Sequence, residues 1–203
     1  MNLLKRKRTA LLRVDFNVPI YNNTISDTKR IRAAIPTIEL LLRLQFKVVI
    51  ISHHGRPKMW NKENSLERIV EPLSRLLGQE VLFFKQSLLG SELEKTHLPS
   101  APIILLENIR FYKEELSNDL KFCEKLSKLG DIYINDAFGV SHRFHSSVSG
   151  IHNFFSNKKY RGLLIEKELN ELSKIKTSPN QPFTVIVGGS KIASKIIMLS
   201  YFL

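Results

Sequence analysis

Short apolar runs alternate along the chain with longer stretches of helical periodicity. The runs predict six buried strands, at residues 10–16, 47–52, 81–84, 102–106, 131–135 and 183–187. Between them, apolar residues recur every three or four positions, as in the stretch from Ile31 to Leu42. Strands that alternate with helices are typical of βαβ units and parallel sheets. The pattern therefore predicts an α/β fold, a three-layer sandwich with a parallel, Rossmann-like sheet.

Four helices are predicted between the strands, and the first three begin at a residue that can cap an N-terminus. These candidate caps are Ser26 or Asp27, Ser65, and Asn118 or Asp119. The second helix is expected to end at Gly78 and the third near Gly130, because glycine commonly ends helices. The fourth spans about Leu163 to Lys174. Pro36 predicts a kink or a later start in the first helix.

Polar residues follow the predicted strands at their carboxyl ends. Asp15 and Asn17 are two residues apart, so in an extended chain they point to one side, while Val14, Phe16 and Val18 point to the other. Pro19 should end this strand because it has no N–H for the sheet. Further polar clusters follow later strands, at 52–57, 107–111, 135–139 and 141–145. Open α/β sheets bind ligands at this edge, so the sequence predicts a binding site there.

Basic side chains dominate these clusters. The chain has 31 Lys and Arg against 19 Asp and Glu, a net charge of +12, which favours phosphorylated metabolites, nucleic acid or an acidic membrane surface as partners. A guanidinium binds phosphate or carboxylate with two hydrogen bonds. The candidate set for a small, highly charged acid comprises Arg30, Arg56, Arg110 and Arg143, with Asp15, Asn17 and His53 beside them.

A second candidate site follows the last predicted strand. Gly188 and Gly189 would let backbone N–H groups approach an anion at a helix N-terminus. Lys191 and Lys195 are four residues apart and share one helical face, where two ammonium groups could neutralise a transferring phosphoryl group. The stretch is neither a Walker A loop nor a dinucleotide-binding glycine motif.

Other classes of site are not indicated by the sequence. Cys123 is the single cysteine, so no intrachain disulfide can form, and we expect an inert thiol in a reducing compartment. No set of residues has metal-ligand spacing. No secretory signal and no run long enough to cross a bilayer is present, so we expect a cytoplasmic protein without a membrane partner. The chain stops at Leu203 inside an apolar helical pattern, from which we expect a truncation.

Seven stretches together resemble the phosphoglycerate kinase family. They are RVDFNVP (13–19), RIRAAIPTI (30–38), SHHGRP (52–57), LLENIRF (105–111), YINDAFGVSHRFHSS (133–147), EKEL (166–169) and VGGSKIASKI (187–196). The resemblance implies the family's N-terminal 3-phosphoglycerate-binding domain at residues 1–177 and the start of a nucleotide-binding domain at 178–203. It implies reversible phosphoryl transfer between 1,3-bisphosphoglycerate and ADP, giving 3-phosphoglycerate and ATP in glycolysis and gluconeogenesis. Mg²⁺ enters with ADP or ATP, and the family is typically monomeric.

The resemblance also implies roles for the candidate residues. Asp15 and Asn17 match positions that hold the hydroxyl region of the acid, and Arg30 matches a catalytic arginine near the carboxyl and the transferring phosphoryl group. The acid and its distal phosphate are bound at positions that match His53, Arg56, Arg110 and Arg143, with His142 in the surrounding basic patch. Positions matching Lys191 and Lys195, with Gly189, contact the nucleotide and the transferring group. No metal ligand is assigned.

The chain also departs from the family. Family members are about twice as long, so we expect this chain to retain only the acid-substrate half and to be inactive by itself. His54, Ser190 and Ser194 stand where the family usually has Leu, Ala and Asp. The alternative interpretation is a non-catalytic anion-binding fragment or pseudogene product. Nucleic acid is not the expected partner. DNA binding that falls steeply with salt concentration, and with which 3-phosphoglycerate does not compete, would favour a nucleic-acid-binding protein instead.

Overall fold

The computed structural model of the chain describes residues 8–21, 24–88, 97–177, 184 and 186. Three residues of the predicted strand at 183–187 lie outside these ranges, as do Gly189, Lys191 and Lys195. The chain divides into two compact units, Met1–Glu168 and Leu169–Leu203. The division predicted at residue 177 stays a prediction.

The described part of the chain contains eight strands and five α-helices. The strands are β1 (Thr9–Arg13), β2 (Ile20–Tyr21), β3 (Thr24–Ile25), β4 (Lys47–Ile51), β5 (Leu82–Phe84), β6 (Ile103–Leu106), β7 (Ile132–Asn135) and β8 (Lys159–Arg161). The helices are α1 (Lys29–Arg43), α2 (Val70–Leu77), α3 (Lys113–Ser117), α4 (Leu120–Ser127) and α5 (Leu163–Thr177). Searched over the same residues, no helix is long and apolar enough to cross a membrane.

Six strands form one parallel sheet in the order β5-β6-β4-β1-β7-β8, which confirms the predicted parallel sheet. β2 and β3 pair antiparallel in a separate ribbon. From β1 the chain crosses to β4 on one side, whereas from β7 it crosses to β8 on the other. The carboxyl edge between β1 and β7 is therefore a topological switch point, the place where open α/β sheets bind ligands.

Helices cover both faces of the sheet, which confirms the three-layer sandwich. On one face, α1 and α2 pack against alternate strand residues in a core that includes Ala10, Leu12, Ile31, Ile38, Val48, Ile50, Leu73 and Ile103. On the other face, α4 and the 3₁₀ turn Gly150–Phe154 contribute to a core that includes Leu11, Val49, Ile104, Phe122, Leu126, Tyr133 and Ile151. The strand residues alternate between the two cores because successive side chains point to opposite faces.

Five of the six predicted strands are confirmed, with a correction at the ends of the first, and the strand predicted at 183–187 stays a prediction. β1 stops at Arg13 instead of Phe16, and residues 14–19 continue as an extended loop, so Pro19 does not end the strand. The Val14 N–H still bonds the Ile51 carbonyl at 3.0 Å, whereas the Phe16 N–H bonds the Ser52 hydroxyl at 2.8 Å. A side chain thus replaces the neighbouring strand as hydrogen-bond partner. The pattern missed β8 and the short ribbon, which have two or three residues per strand.

The helix predictions need five corrections. The N-cap position of α1 is Thr28, not Ser26 or Asp27, although Asp27 Oδ1 accepts a hydrogen bond from the Lys29 N–H at 2.7 Å. α1 continues through Pro36, whose ring lies on the exposed side where the freed carbonyl can meet water. α5 runs to Thr177 rather than about Lys174, and a short α3 was missed.

The fifth correction concerns the end of α4, which stops at Ser127 rather than near Gly130. Gly130 is instead a place of close approach, because a Cβ built on it would lie 2.7 Å from the Leu11 Cβ. Two predicted caps are confirmed: the Asp119 carboxylate accepts from the Phe122 N–H at 2.8 Å, and the Ser65 hydroxyl accepts from the Glu67 N–H at 3.2 Å. Ser65 caps a 3₁₀ turn that precedes α2.

Candidate anion-binding site

Three loops meet beyond the carboxyl ends of β1, β4 and β6, and Ser52 holds them together. Its hydroxyl accepts from the Phe16 N–H at 2.8 Å and donates to the Val14 carbonyl at 2.9 Å. Its carbonyl accepts from the Ile109 N–H at 3.1 Å. Ser52 is fully buried, so these bonds fix the loops at 14–19, 52–57 and 107–111 relative to one another.

The loop after β1 presents alternate residues to opposite sides, as predicted. Val14, Phe16 and Val18 are buried in the core under α1. Asp15 faces the other way and pairs with the Arg30 guanidinium, which reaches it from the first turn of α1. The Arg30 side chain remains 50% exposed. Arg30 is therefore oriented by a buried carboxylate while part of its guanidinium faces solvent at the edge of the sheet.

Asn17, Gly55 and Arg110 link all three loops. The Gly55 N–H donates to Asn17 Oδ1 at 2.9 Å, and Arg110 Nη1 donates to the Gly55 carbonyl at 2.6 Å. Gly55 adopts a left-handed conformation with φ 64°, and a Cβ built on it would overlap Asn64 Oδ1. Glycine is required here for both reasons.

His53 lies at the centre of the cationic groups. It is 1% exposed, its Nδ1 is 3.1 Å from Arg13 Nη2, and its Nε2 is 3.8 Å from Asp15 Oδ1. Burial lowers the pKa of His53 far below its usual range, and the positive charges of Arg13, Arg110 and Arg30 lower it further. His53 is therefore a neutral imidazole surrounded by three guanidinium groups.

Arg110 is 9% exposed and shares this positive field. Burial, together with the charges of Arg13, Arg56 and Arg143, lowers the pKa of Arg110 to about 10, while Glu115 opposes the shift. Arg56 and Arg143 are exposed, yet both are close enough to Arg110 to act on it. The structure thus brings together the arginines that the sequence singled out, two of them linked into the hydrogen-bonded cluster and two at its rim.

The loop that carries Arg143 also forms a separate concavity. This cavity has a volume of about 370 Å³ and is lined by Ser141, His142, Arg143, Phe144, Val148, Ser149 and His152. His142 and Arg143 are both exposed. The polar side of this cavity is lined by the Arg143 guanidinium and by serine hydroxyls, so it also offers donors to an anion.

The cluster that follows β7 is structural. Asp136 is fully buried, and its Oδ1 accepts from the N–H groups of Leu164 and Ile165 at 2.9 and 3.3 Å. This carboxylate therefore caps the N-terminus of α5, and burial raises its pKa. Asn135 Oδ1 accepts from the Ala137 N–H at 3.0 Å. Gly139 does touch the site, since a Cβ built there would lie 2.9 Å from Asp15 Oδ2.

His54 forms a second link between the first two loops. Its Nε2 lies 3.0 Å from the Val18 carbonyl, and because a carbonyl only accepts, Nε2 carries the hydrogen. Burial lowers the pKa of His54. His53 and His54 therefore point apart, as expected of neighbours on an extended chain, and do not form a metal pair.

Sequence reasoning missed three buried residues behind the site. Arg13 is fully buried, and its Nε donates to the Ser147 hydroxyl at 2.9 Å. That hydroxyl donates to Glu115 Oε1 at 2.7 Å, and the Ser147 N–H donates to Glu115 Oε2 at 2.8 Å. From the sequence, Arg13 was assigned no role. The one available signal was a cation at the end of an otherwise apolar strand, which requires a buried partner.

The described site does not fit a divalent cation. Its one inward carboxylate, Asp15, is already paired with Arg30, and its remaining groups are cationic or neutral donors. Within the ranges that the structure describes, no cluster of three or more His, Cys, Asp or Glu side chains is placed to hold a metal ion. The Mg²⁺ implied by the resemblance would thus have to be held outside this cluster.

The chain is an α/β protein whose parallel sheet carries a cluster of guanidinium groups at its carboxyl edge, the edge at which open α/β sheets bind ligands. The family model for phosphoglycerate kinase matches residues 2–203, and the chain belongs to the phosphoglycerate kinase family. Phosphoglycerate kinase from Dictyoglomus turgidum is 45% identical over 195 residues, 95% of this chain and 48% of that protein. The cytosolic phosphoglycerate kinase 3 of Arabidopsis thaliana is 45% identical over 192 residues, 93% of this chain and 47% of that protein.

Solved structures agree with the sequence matches. Phosphoglycerate kinase from Coxiella burnetii superposes with a TM-score of 0.80 at 34% identity, covering 98% of this chain and 50% of that one. The enzyme from Pyrococcus horikoshii gives a TM-score of 0.80 at 31% identity, covering 96% and 51%. The chain therefore spans about half the length of the relatives that it matches.

Proposed function

We propose that the site binds 3-phosphoglycerate and the acyl phosphate 1,3-bisphosphoglycerate, as the acid side of the phosphoglycerate kinase reaction. Membership of the family supports the reaction class. The geometry supports the ligand class, because the groups at the edge of the sheet are the bidentate cations and neutral donors that carboxylate and phosphate oxygens accept from.

One observation carries the proposal, the convergence of guanidinium groups on His53. Arg13, Arg30 and Arg110 all lie close enough to lower the pKa of this buried histidine, and Arg56 and Arg143 both act on Arg110. Like charges held together on a folded protein repel one another. A small polyanion placed among them would remove this repulsion, and a neutral or cationic ligand would not.

The residue roles of the proposal follow from position. Arg30 lies at the N-terminal end of α1, where a positive helix end also favours an anion. It would bind the carboxyl end and stabilise charge on the transferring phosphoryl group, since phosphoryl transfer depends mainly on positioning and electrostatics. Asp15 and Asn17 would hold the hydroxyl region. The distal phosphate and remaining oxygens would be bound by His53, Arg56, Arg110 and Arg143, with His142 nearby.

The nucleotide side of the proposal rests on the resemblance alone. Gly189, Lys191 and Lys195 would contact ADP or ATP, which enters with Mg²⁺, and the two lysines would neutralise the group in transfer. A cytosolic location is proposed from the name of the Arabidopsis relative.

Calorimetric titration of the 203-residue chain with 3-phosphoglycerate at fixed ionic strength tests the acid site. We expect saturable binding that Arg30→Ala weakens by about tenfold or more, because a hydrogen bond between charged groups contributes roughly 1.5–3 kcal/mol. Arg32→Ala is the matched control: Arg32 is exposed two residues further along α1 and bonds Thr28 Oγ1. It removes the same charge from the same helix and should leave binding unchanged.

The single tryptophan offers a second readout of the same titration. Trp60 is 64% exposed and its ring centroid lies 6.4 Å from that of Phe111, the neighbour of Arg110. Ligand that orders the loops should change Trp60 emission with the same midpoint as the heat signal. Absence of binding to the folded chain, or equal loss in Arg30→Ala and Arg32→Ala, would contradict the proposal. A coupled assay with 1,3-bisphosphoglycerate and ADP measures turnover.

A further inference from the structure

We propose that Arg13, held from behind by Ser147 and Glu115, is a positioning residue that fixes His53 in one tautomer, with its hydrogen on Nε2 facing the ligand. This inference deepens the proposed function, on which its ligand-binding part rests. Arg13 itself is fully buried, so it would act on the ligand through His53 and not by contact.

The tautomer follows from the donor inventory of the two side chains. An arginine guanidinium has only N–H donors and no acceptor. Arg13 Nη2 lies 3.1 Å from His53 Nδ1, so Nδ1 must be the acceptor and carry no hydrogen. A neutral imidazole then carries its hydrogen on Nε2.

The other side of the imidazole faces the site. Nε2 lies 3.8 Å from Asp15 Oδ1, which is longer than a hydrogen bond. Asp15 Oδ1 is therefore the nearby carboxylate oxygen, but it does not accept a hydrogen bond from the Nε2–H. An oxygen of an anionic ligand that enters between the loops can accept this hydrogen, whereas the opposite tautomer would present a lone pair and repel that oxygen.

Arg13 is in turn held in place by groups that fix its plane. Nε donates to the Ser147 hydroxyl at 2.9 Å, and Nη1 donates to the Val14 carbonyl. Ser147 donates onward to Glu115, which is fully buried and supplies the negative charge that a buried guanidinium requires. The path from Glu115 through Ser147 and Arg13 to His53 is thus a continuous series of hydrogen bonds.

The charged and titratable groups around His53 come from several elements. They are Arg13 at the end of β1, Asp15 in the loop after it, Arg30 on α1, Arg110 after β6, and His145 after β7. Only Asp15 favours the protonated imidazole, and the others oppose it. Arg13 is the one cation bonded to the ring, so its removal should free Nδ1 to accept a proton.

Long-range ¹H–¹⁵N spectra of ¹⁵N-histidine-labelled protein test the inference without any ligand. In the 203-residue chain we expect His53 to show a bare Nδ1 and a protonated Nε2 that do not change between about pH 8 and about pH 5.5, a range that spans the ordinary histidine pKa. The peaks are assigned by their loss in His53→Gln. A protonated Nδ1, or titration within this range, would overturn the inference.

The double variant Arg13→Met/Glu115→Gln removes the buried cation and anion together, so that neither charge is left alone. We expect His53 to populate both tautomers and to titrate, with 3-phosphoglycerate binding about tenfold weaker, the effect of one lost hydrogen bond to a charged group. Tyr133→Phe is the control, since it removes only the 2.6 Å bond from Tyr133 Oη to the Ser147 carbonyl. It should leave the tautomer unchanged.

A folded double variant that keeps the single tautomer would overturn the inference. If the double variant does not fold, the unaltered chain still decides, because its spectrum reports the tautomer directly. If the spectrum is as expected but the chain does not bind 3-phosphoglycerate, the proposed function is contradicted and the tautomer is established. If the chain binds 3-phosphoglycerate but His53 has a protonated Nδ1, the proposed function is supported and the inference about the tautomer is overturned.

Discussion

Arg110 donates a 2.6 Å hydrogen bond from Nη1 to the carbonyl of Gly55. A guanidinium from the loop after β6 thereby fixes the backbone of the loop after β4, while the N–H of the same glycine bonds Asn17 in the loop after β1. Two side chains of the site, those of Asn17 and Arg110, thus depend on one glycine whose φ is 64°. The shape of the site is determined by a glycine as much as by its arginines.

Gly55→Ala should therefore disturb both stability and binding. The left-handed conformation costs an alanine about 1–2 kcal/mol, and the new Cβ would overlap Asn64 Oδ1. We expect the free energy of unfolding to fall by about 2–3 kcal/mol and 3-phosphoglycerate binding to weaken by about tenfold or more. Urea unfolding and calorimetry measure the two effects.

Gly78→Ala is the matched control for that experiment. Gly78 has a φ of 61°, and a Cβ built on it meets nothing within 4 Å. The free energy of unfolding of Gly78→Ala should fall only by the cost of the left-handed conformation, about 1 kcal/mol, and its affinity for 3-phosphoglycerate should not change. Equal destabilisation in both variants, with binding intact in Gly55→Ala, would show that the steric clash and the loop geometry have no effect.

Gly139→Ala should separate binding from stability. Its Cβ would lie 2.9 Å from Asp15 Oδ2 and 3.8 Å from Arg30 Nη1, so the ion pair must move. The carboxylate and guanidinium are ends of side chains and can shift, which keeps the expected loss of stability below about 1 kcal/mol. Affinity for 3-phosphoglycerate should fall about tenfold, the effect of misplacing one charged hydrogen bond. Unchanged affinity would show that the orientation of Arg30 is unimportant.

The local pattern predicted what depends on neighbouring residues in sequence. Alternation placed Val14, Phe16 and Val18 in the core, and the structure confirms this. It failed at the end of β1, because the strand stops where the Ser52 hydroxyl takes over the Phe16 N–H. A hydrogen bond between residues 36 positions apart leaves no mark in a local pattern.

The buried network behind the site was invisible for the same reason. Arg13 is stabilised through Ser147, 134 residues away along the chain, and through Glu115 beyond it. Glu115 lies in a five-residue helix whose sequence, KEELS, looks like an exposed segment. Charged residues are seldom fully buried, so the sequence alone favours the wrong interpretation for both. Arg13 and Glu115 come close together in the folded protein, where β1 lies between β4 and β7.

The stability of the fold should depend on pH through its neutral histidines. Burial lowers the pKa of His53, and it lowers the pKa of His145 to about 4. The unfolded chain therefore binds protons first as the pH falls below about 6.5. Stability is full above that pH and is lost below it, by up to about 1.4 kcal/mol per pH unit for each such histidine.

Urea unfolding at about pH 7.5, 6.5 and 5.5 measures this loss in a window above the ordinary carboxyl pKa values. Burial raises the pKa of Glu115 and Asp136, and these groups act in the opposite direction at lower pH. His53→Gln should flatten part of the slope, because one neutral imidazole is removed. A free energy of unfolding that is constant over this window would contradict the neutral buried state.

Cys123 should react only when the protein unfolds. It is fully buried, its Sγ contacts the Ser146 carbonyl at 3.5 Å, and burial raises its pKa. A thiol reagent should label the native chain slowly and the guanidinium-denatured chain completely with one equivalent, since the chain has one cysteine. Rapid labelling of the native chain would show that the region around α4 opens readily.

The central position of β1 has a consequence for synthesis on the ribosome. β1 pairs with β4 on one side and with β7 on the other, and Thr9 bonds Asp131, 122 residues later. At about 5–20 residues per second, the first strand waits roughly 6–24 s for its second neighbour. During that interval the unpaired N–H and C=O groups on that side of β1 are a template for other nascent strands, and chaperones that bind extended apolar segments would have a target at residues 9–13.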